Sequence, residues 1–186
     1  MHPLEEDQVS VFLREVQGHP HEYLYKIALF TGLREGEGLG LGWEHIDFQT
    51  GTLTVKRQLR REQKKGGEYY FSPPKNNKSR CLTLAPSVIQ LFRLQKLQQN
   101  RMRIEAGDAW EEHGLIFTNQ TGGYLSYRTV YDCFKRIVRN IGAPATRFHD
   151  LRHTFAVASI KSGDDIKTVQ ENLGHATAAF TLDVYG

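Results

Sequence analysis

The chain has 186 residues and a mass of 21.3 kDa, enough for one core of ordinary size. With 39% hydrophobic and 24% charged residues, it has the make-up of a globular protein, which excludes a disordered or fibrous chain. Its formal net charge of +3 does not by itself announce a polyanion partner.

The charge is unevenly distributed. Residues 1–50 hold three basic and nine acidic side chains, a net of −6, whereas residues 51–80 hold nine basic and two acidic, a net of +7. A positive field confined to one stretch suits a polyanion better than a small acidic substrate; a solvated charged hairpin is the alternative at this point. Cys81 and Cys133 form no CxxC pair, so neither a disulfide framework nor a cysteine zinc site is indicated, and a reducing, cytoplasmic setting is expected. The opening MHPLEED is acidic where a secretory signal would be basic and then apolar. No apolar run approaches about 18 residues, so no membrane partner is expected.

Val9, Phe12, Leu13 and Val16 recur at helical spacing behind acidic residues, which predicts a helix over 4–16; Leu24, Ile27, Ala28 and Phe30 predict a second over 21–33. Glycines at 36, 38, 40 and 42 weaken any helix there and leave the backbone approachable. From 52 to 84 the pattern turns to strands, at 52–55, 69–71 and 81–84, read together as one three-stranded antiparallel sheet edged by basic side chains. Pro86 can open a helix that Val88, Leu91, Phe92, Leu94 and Leu97 carry to about Arg103. Residues 114–117 form a short apolar run before a turn at Gly122 and Gly123. Ser126 can cap a helix reaching Ile141, with Val130, Phe134, Ile137 and Val138 on its buried side. Further helices are expected over 149–162, over 165–173, and from 176 or 177 towards Tyr185. The predicted class is α+β, mostly helical with a small three-stranded antiparallel sheet.

Several patterns bear on chemistry. The glycines at 36–42 lack GxxxxGK[ST], and GxGxxG fails at Leu41, which excludes a phosphate-binding nucleotide loop. His149 and His153 stand at i, i+4, a zinc-compatible spacing, and His175 could supply a third ligand; this is the metal-dependent phosphohydrolase reading, weakened because Asp150 stands where HExxH needs glutamate. His149 and Arg152, at i, i+3, also share a helix face, and an imidazole beside a guanidinium suits a phosphate. Arg34 offers a second guanidinium where a glycine turn meets a short helix.

Taken together these segments resemble the tyrosine recombinases, the phage integrase family. Residues 31–37, TGLREGE, look like the TGLRxxE box. Residues 149–154, HDLRHT, look like the HxLRHT box, and LGH at 173–175 followed by Tyr185 looks like the LGH…Y ending. Pro74 and Lys75, leading through Ser79 and Arg80 into strand residues, are similar to the PKT…R hairpin of integrases from phages and conjugative transposons; Asn76 replaces the threonine.

The resemblance implies site-specific DNA cleavage and rejoining through a 3′-phosphotyrosyl intermediate, in integration or excision of a mobile element. It assigns Tyr185 as nucleophile, Arg34 and Arg152 as phosphate clamps, His149 as base or proton relay, His175 as hydrogen-bond donor to the phosphate, and Lys75 as general acid, with Lys78 the alternative. Glu37 is expected to orient neighbours. No cofactor or metal is implied. The partner is double-stranded DNA at attachment sites, with Lys56, Arg57, Arg60, Arg61, Lys64, Lys65, Lys78 and Arg80 as candidate backbone contacts. Residues 1–186 are expected to be a catalytic domain without the N-terminal core-binding domain and the C-terminal tail. Four copies synapse in the whole protein, while the fragment alone is expected to be monomeric. A competing reading is a catalytically inactive DNA-binding module derived from an integrase.

Overall fold

The chain folds into two units. The computed structural model describes residues 1–174, so the helix expected towards Tyr185 lies outside the described residues. In chain order the elements are α1 (Glu6–Glu15), α2 (Glu22–Thr31), α3 (Glu35–Leu39), β1 (Ile46–Asp47), β2 (Thr52–Val55), β3 (Gln58–Arg61), β4 (Tyr69–Ser72), β5 (Arg80–Thr83), α4 (Pro86–Ala106), α5 (Tyr127–Asn140), α6 (Phe148–Lys161) and α7 (Ile166–Leu173). One unit comprises residues 1–35 and those from 127 onward, the other residues 36–126. Among the described residues no helix is long and apolar enough to cross a membrane.

The first unit is helical. Phe134 of α5 is its hub, with ring centroids 6.0 Å from Phe12, 5.7 Å from Tyr25 and 5.7 Å from Phe148, separations typical of tilted and edge-to-face aromatic pairs. The Tyr25 hydroxyl donates to the Val130 carbonyl at 2.9 Å, so this ring is buried without stranding its polar end. Val169 and Leu173 of α7 pack on Ala156 of α6, with Phe155 and Ile160 at the edge. The first helix opens on a reciprocal cap, the Glu5 N–H donating to Gln8 Oε1 at 3.0 Å.

In the second unit β2 pairs antiparallel with both β1 and β5, placing Leu53 opposite Ile46 and Leu82, while β3 pairs antiparallel with β4. The three-stranded sheet is present, but its membership differs from expectation. The 69–72 strand joins β3, and Ile46–Asp47 takes the third place. Gln58–Arg61 hides its strand character because Leu59 is its one apolar residue. The arginines on the same side as Leu59 lie against rings: the Arg57 guanidinium carbon is 3.8 Å from the Phe71 centroid, and that of Arg61 is 5.0 Å from Tyr69. Cation–π contact thus stands in for aliphatic packing on this side of the strand pair, with Arg57 half-buried and Arg61 exposed.

Helix α4 buries two amides, Gln95 and Gln99, beside Val88 and Phe92. Their Nε2 groups donate to the carbonyls of Ile116 and Leu115 at 2.8 Å each, and Gln99 Oε1 accepts from Trp43 Nε1 at 2.8 Å. The apolar run at 114–117 therefore finds its hydrogen bonds in side chains and in a single bridge between Gly42 and Leu115. The glycine-rich stretch forms only the short α3, and a Cβ on Gly40 would lie 2.8 Å from the Leu59 backbone nitrogen.

Gly32 ends α2 in the left-handed region, φ +67°, and a Cβ there would meet Leu173 Cδ2 at 2.7 Å and Phe155 Cδ1 at 2.8 Å. Gly163 has a similar φ, +89°, with nothing within 4 Å. We expect Gly32→Ala to lower the urea-unfolding free energy by about 2–4 kcal/mol, combining backbone strain with overpacking, and Gly163→Ala by about 1 kcal/mol. Equal losses would show that packing at the α2 end contributes nothing.

Candidate active site

Arg34, His149 and Arg152 belong to the first unit. Arg152, on α6, is 1% exposed. One terminal nitrogen donates to the Gly32 carbonyl at 2.7 Å and the other to the Leu173 carbonyl. Gly32 caps α2 two residues before Arg34, and Leu173 ends α7 two residues before His175. Both carbonyls sit at helix C-termini, where acceptors lack helical partners and the helix dipole favours a cation. A single fork joins three of the four segments that carry the sequence boxes.

The first turn of α6 is fixed by Asp150, which is fully buried. Its carboxylate accepts the Arg147 backbone N–H at 2.9 Å and two Arg147 guanidinium nitrogens at 3.1 Å each. Burial alone would raise its pKa, but the Arg147 hydrogen bonds and charge, with the backbone N–H of His2, hold it at about 2.

His149, beside it, keeps an exposed edge. Desolvation of the rest of the ring, then neighbouring His153 and the charges of Arg152 and Arg34, lower its pKa to about 4 against a weaker pull from Asp150. His149 is therefore neutral near pH 7 and able to accept a proton. The His153 ring stands edge-on to His149, centroids 5.0 Å apart.

Glu35 is the opposite case from Asp150. It follows Arg34, its Oε1 is buried, and among the described residues nothing hydrogen-bonds that oxygen. Burial raises its pKa to about 7. Neither carboxylate was singled out from the sequence as a site residue. The cap formed by Asp150 involves an arginine at the cap position, which carries no capping signature, and the burial of Glu35 is a tertiary property.

The second unit holds Lys75, exposed on the 73–79 turn with Lys78. Of the cations expected to face DNA, Lys56, Arg60, Lys64, Lys65 and Lys78 are exposed; Lys64 lies 2.9 Å from Glu62. Arg61 is exposed but tethered, its Nε donating to the Gly67 carbonyl at 2.8 Å. Two others are committed inward. Arg57 Nε donates to the Gly40 carbonyl at 2.8 Å, and Arg80 makes a bidentate pair with Glu37, 2.8 Å at each fork. The Arg80 side chain is 9% exposed, leaving little of it for a phosphate. His175 and Tyr185 lie outside the described residues, as does the third ligand of the zinc reading.

The fold is mostly helical with small antiparallel sheets, and Arg34, His149 and Arg152 lie in one helical unit. The chain belongs to the phage integrase family, whose sequence profile matches residues 3–186. It is 30% identical over 190 residues to a tyrosine recombinase XerC-like protein of Caldanaerobacter subterraneus subsp. tengcongensis, an alignment covering 97% of this chain and 49% of that protein. It is 29% identical over 167 residues to the ICEBs1 integrase of Bacillus subtilis, covering 87% and 43%. The chain thus spans about half the length of the curated relatives it matches. Its structure is similar to that of the Tn1549 transposon integrase in complex with transposon right end DNA, with a TM-score of 0.83 and 27% identity over 99% of this chain and 61% of that one. The catalytic domain of the bacteriophage HP1 integrase shares the fold, with a TM-score of 0.65 at 19% identity.

Native Glu35 keeps its proton to about pH 7, whereas an unfolded glutamate loses it near 4.5. Stability is therefore lost as pH rises through that window, because the native state binds more protons than the unfolded one. We expect Glu35→Gln to flatten this decline and to gain up to about 3 kcal/mol over the parent at pH 8, with little difference at pH 4.5. Urea midpoints at the two pH values check it; a parallel decline in both proteins would contradict the assignment.

Proposed function

We propose that this chain carries the strand-cleaving and rejoining chemistry of a site-specific recombinase that integrates or excises a mobile element. The observation that carries this reading is the fork of Arg152, which joins the segments bearing Arg34 and the LGH box, beside a His149 kept neutral by desolvation first and then by His153, Arg152 and Arg34. Family membership and the likeness to the Tn1549 transposon integrase support it.

In this scheme Tyr185 Oη attacks the scissile phosphorus and its proton passes to His149. The P–O5′ bond breaks, and Lys75 Nζ gives its proton to the departing 5′-oxygen, leaving a 3′-phosphotyrosyl link and a free 5′-hydroxyl. Attack by a 5′-hydroxyl from another strand reverses the steps. A phenol with pKa near about 10 needs the base, and the phosphorane needs its charge neutralised. Arg34 and Arg152 meet the second requirement as permanent cations that need no reorganisation when charge develops. His175 adds a hydrogen bond. The phosphodiester energy stays in the covalent link, so no step calls for a nucleotide or a metal. The substrate is double-stranded DNA at an attachment site, and recombination between two duplexes engages four copies of the whole protein. Residues 1–186 act as its catalytic portion.

A duplex built from the junction beside the gene, nicked so that the short 5′ fragment diffuses away, tests this reading. We expect the recombinase to accumulate a covalent protein–DNA adduct that Tyr185→Phe abolishes and chelators leave unchanged. Binding without any adduct from the parent would reduce the protein to a DNA-binding module, and inhibition by chelators would favour metal-dependent hydrolysis.

The exposed cations also separate by salt dependence. Replacing Arg60, Lys64 and Lys65 together by alanine is expected to lower the slope of log K against log salt by about 2–3, since each phosphate left without its cation removes about 0.9. Arg57→Ala should leave the slope unchanged and instead lower thermal stability. An unchanged slope in the triple variant would remove the 60–65 region from the interface.

A further inference from the structure

The turn carrying Lys75 is held in an unusual way. It connects β4 to β5, yet β4 is laddered to β3, β5 is laddered to β2, and no ladder joins β4 to β5 among the described residues. Apart from Pro74, residues 73–79 are exposed, and the turn's own bond runs from the Asn77 N–H to the Pro74 carbonyl at 2.8 Å, with Asn77 at φ 54°. A hairpin would fix such a turn by hydrogen bonds across its base. Here each root is fixed separately.

At the first root, Gln58 Nε2 donates to the Pro73 carbonyl at 2.7 Å. At the second, Arg80 begins β5 opposite Val55, and its two terminal nitrogens each lie 2.8 Å from one oxygen of Glu37, which is fully buried in α3. A bidentate pair fixes direction as well as distance. Burial makes the pair obligatory, since either charge left alone in that setting is costly. The exposed turn gains from it a fixed second end.

We propose that Arg80 is a positioning residue for Lys75: its fork on Glu37 anchors the sheet-to-sheet turn so that the Lys75 ammonium is presented to the departing 5′-oxygen. This rests on the reading of Lys75 as general acid. The proton moves from Lys75 Nζ to O5′ as the P–O5′ bond breaks and the Tyr185 Oη–P bond forms. A 5′-bridging sulfur in place of that oxygen leaves as a thiolate and needs no proton, so it separates loss of proton delivery from every other defect.

The test compares single-turnover cleavage of nicked junction duplexes carrying 5′-oxygen or 5′-sulfur by the whole recombinase. Lys75→Ala serves as the standard and should fail on oxygen and recover on sulfur. The double variant Glu37→Gln/Arg80→Met removes the fork without stranding a buried charge, and Arg80→Lys keeps the charge without the fork. We expect the double variant to cleave the oxygen substrate about tenfold more slowly, and Arg80→Lys by a smaller factor, with both within about twofold of the parent on sulfur. Equal deficits on the two substrates, or none on oxygen, would overturn the inference while leaving Lys75 as the acid. If sulfur does not restore Lys75→Ala, the general-acid reading itself fails and the role given to Arg80 falls with it.

Discussion

A guanidinium removed from water has to find acceptors for the N–H groups it turns inward, and Arg152 finds them at the ends of two helices. Hydrogen bonds to a charged group are worth about 1.5–3 kcal/mol each, and their absence costs at least as much. The carbonyls of Gly32 and Leu173 are in turn helix-end acceptors that would otherwise lack partners. The arrangement is satisfied on both sides, which makes it a constraint on three segments at once. An ammonium of lysine, a single point of charge, has no fork with which to span two carbonyls on different helices. The left-handed glycine that ends α2 belongs to the same constraint, since a side chain there would meet Leu173 and Phe155 just where the helix ends converge.

The nature of those acceptors matters for the electrostatics. Carbonyls are dipoles, so the two described acceptors orient Arg152 without cancelling its charge. Asp150, the nearest fully buried carboxylate in sequence, takes its hydrogen bonds from Arg147 rather than from Arg152. The charge of Arg152 is felt by His149, whose basicity it lowers behind the larger effects of desolvation and His153. Asp150 and Glu35 show how far partners decide the outcome. Burial disfavours both ionised forms, yet Asp150, with Arg147 and His2 donating to it, falls to about 2 while Glu35, with one oxygen that nothing among the described residues hydrogen-bonds, rises to about 7.

The helical part of the fold was legible in the sequence because its apolar residues repeat every three to four positions: α1, α2, α4, α5, α6 and α7 fall within a few residues of their expected spans. The sheet was legible only in part. β2 and β5 alternate visibly, but β3 reads as a charged loop, since Leu59 is its one buried apolar residue and the arginines flanking it lie on Phe71 and Tyr69. Arg34, His149 and Arg152 could be found as members of boxes, because their residue types and spacings match the needs of a phosphate. What sequence could not show was which arginine is spent on structure. Arg57, Arg60 and Arg80 are chemically identical, and only the strand register and the burial of Glu37 tell them apart.

That distinction changes what the charge of the 51–80 segment means. Nine basic side chains against two acidic ones count equally in a formal sum, but a field at the surface depends on which of them face water. Arg57 points to the Gly40 carbonyl and the Phe71 ring, and Arg80 is neutralised by Glu37 in the interior. Arg60, set across from Tyr70 on the other face of the strand pair, and Lys56, Lys65, Lys75 and Lys78 are exposed, while the charge of exposed Lys64 is partly offset by Glu62. The alternation of strand side chains thus sorts one run of positive charge into two populations. The inward one stiffens the scaffold against rings, carbonyls and a buried carboxylate, and the outward one is the charge available to a polyanion. Were a polyanion to bind, only the second would release counterions, and the scaffold cations would act on affinity through the geometry they impose rather than through salt dependence.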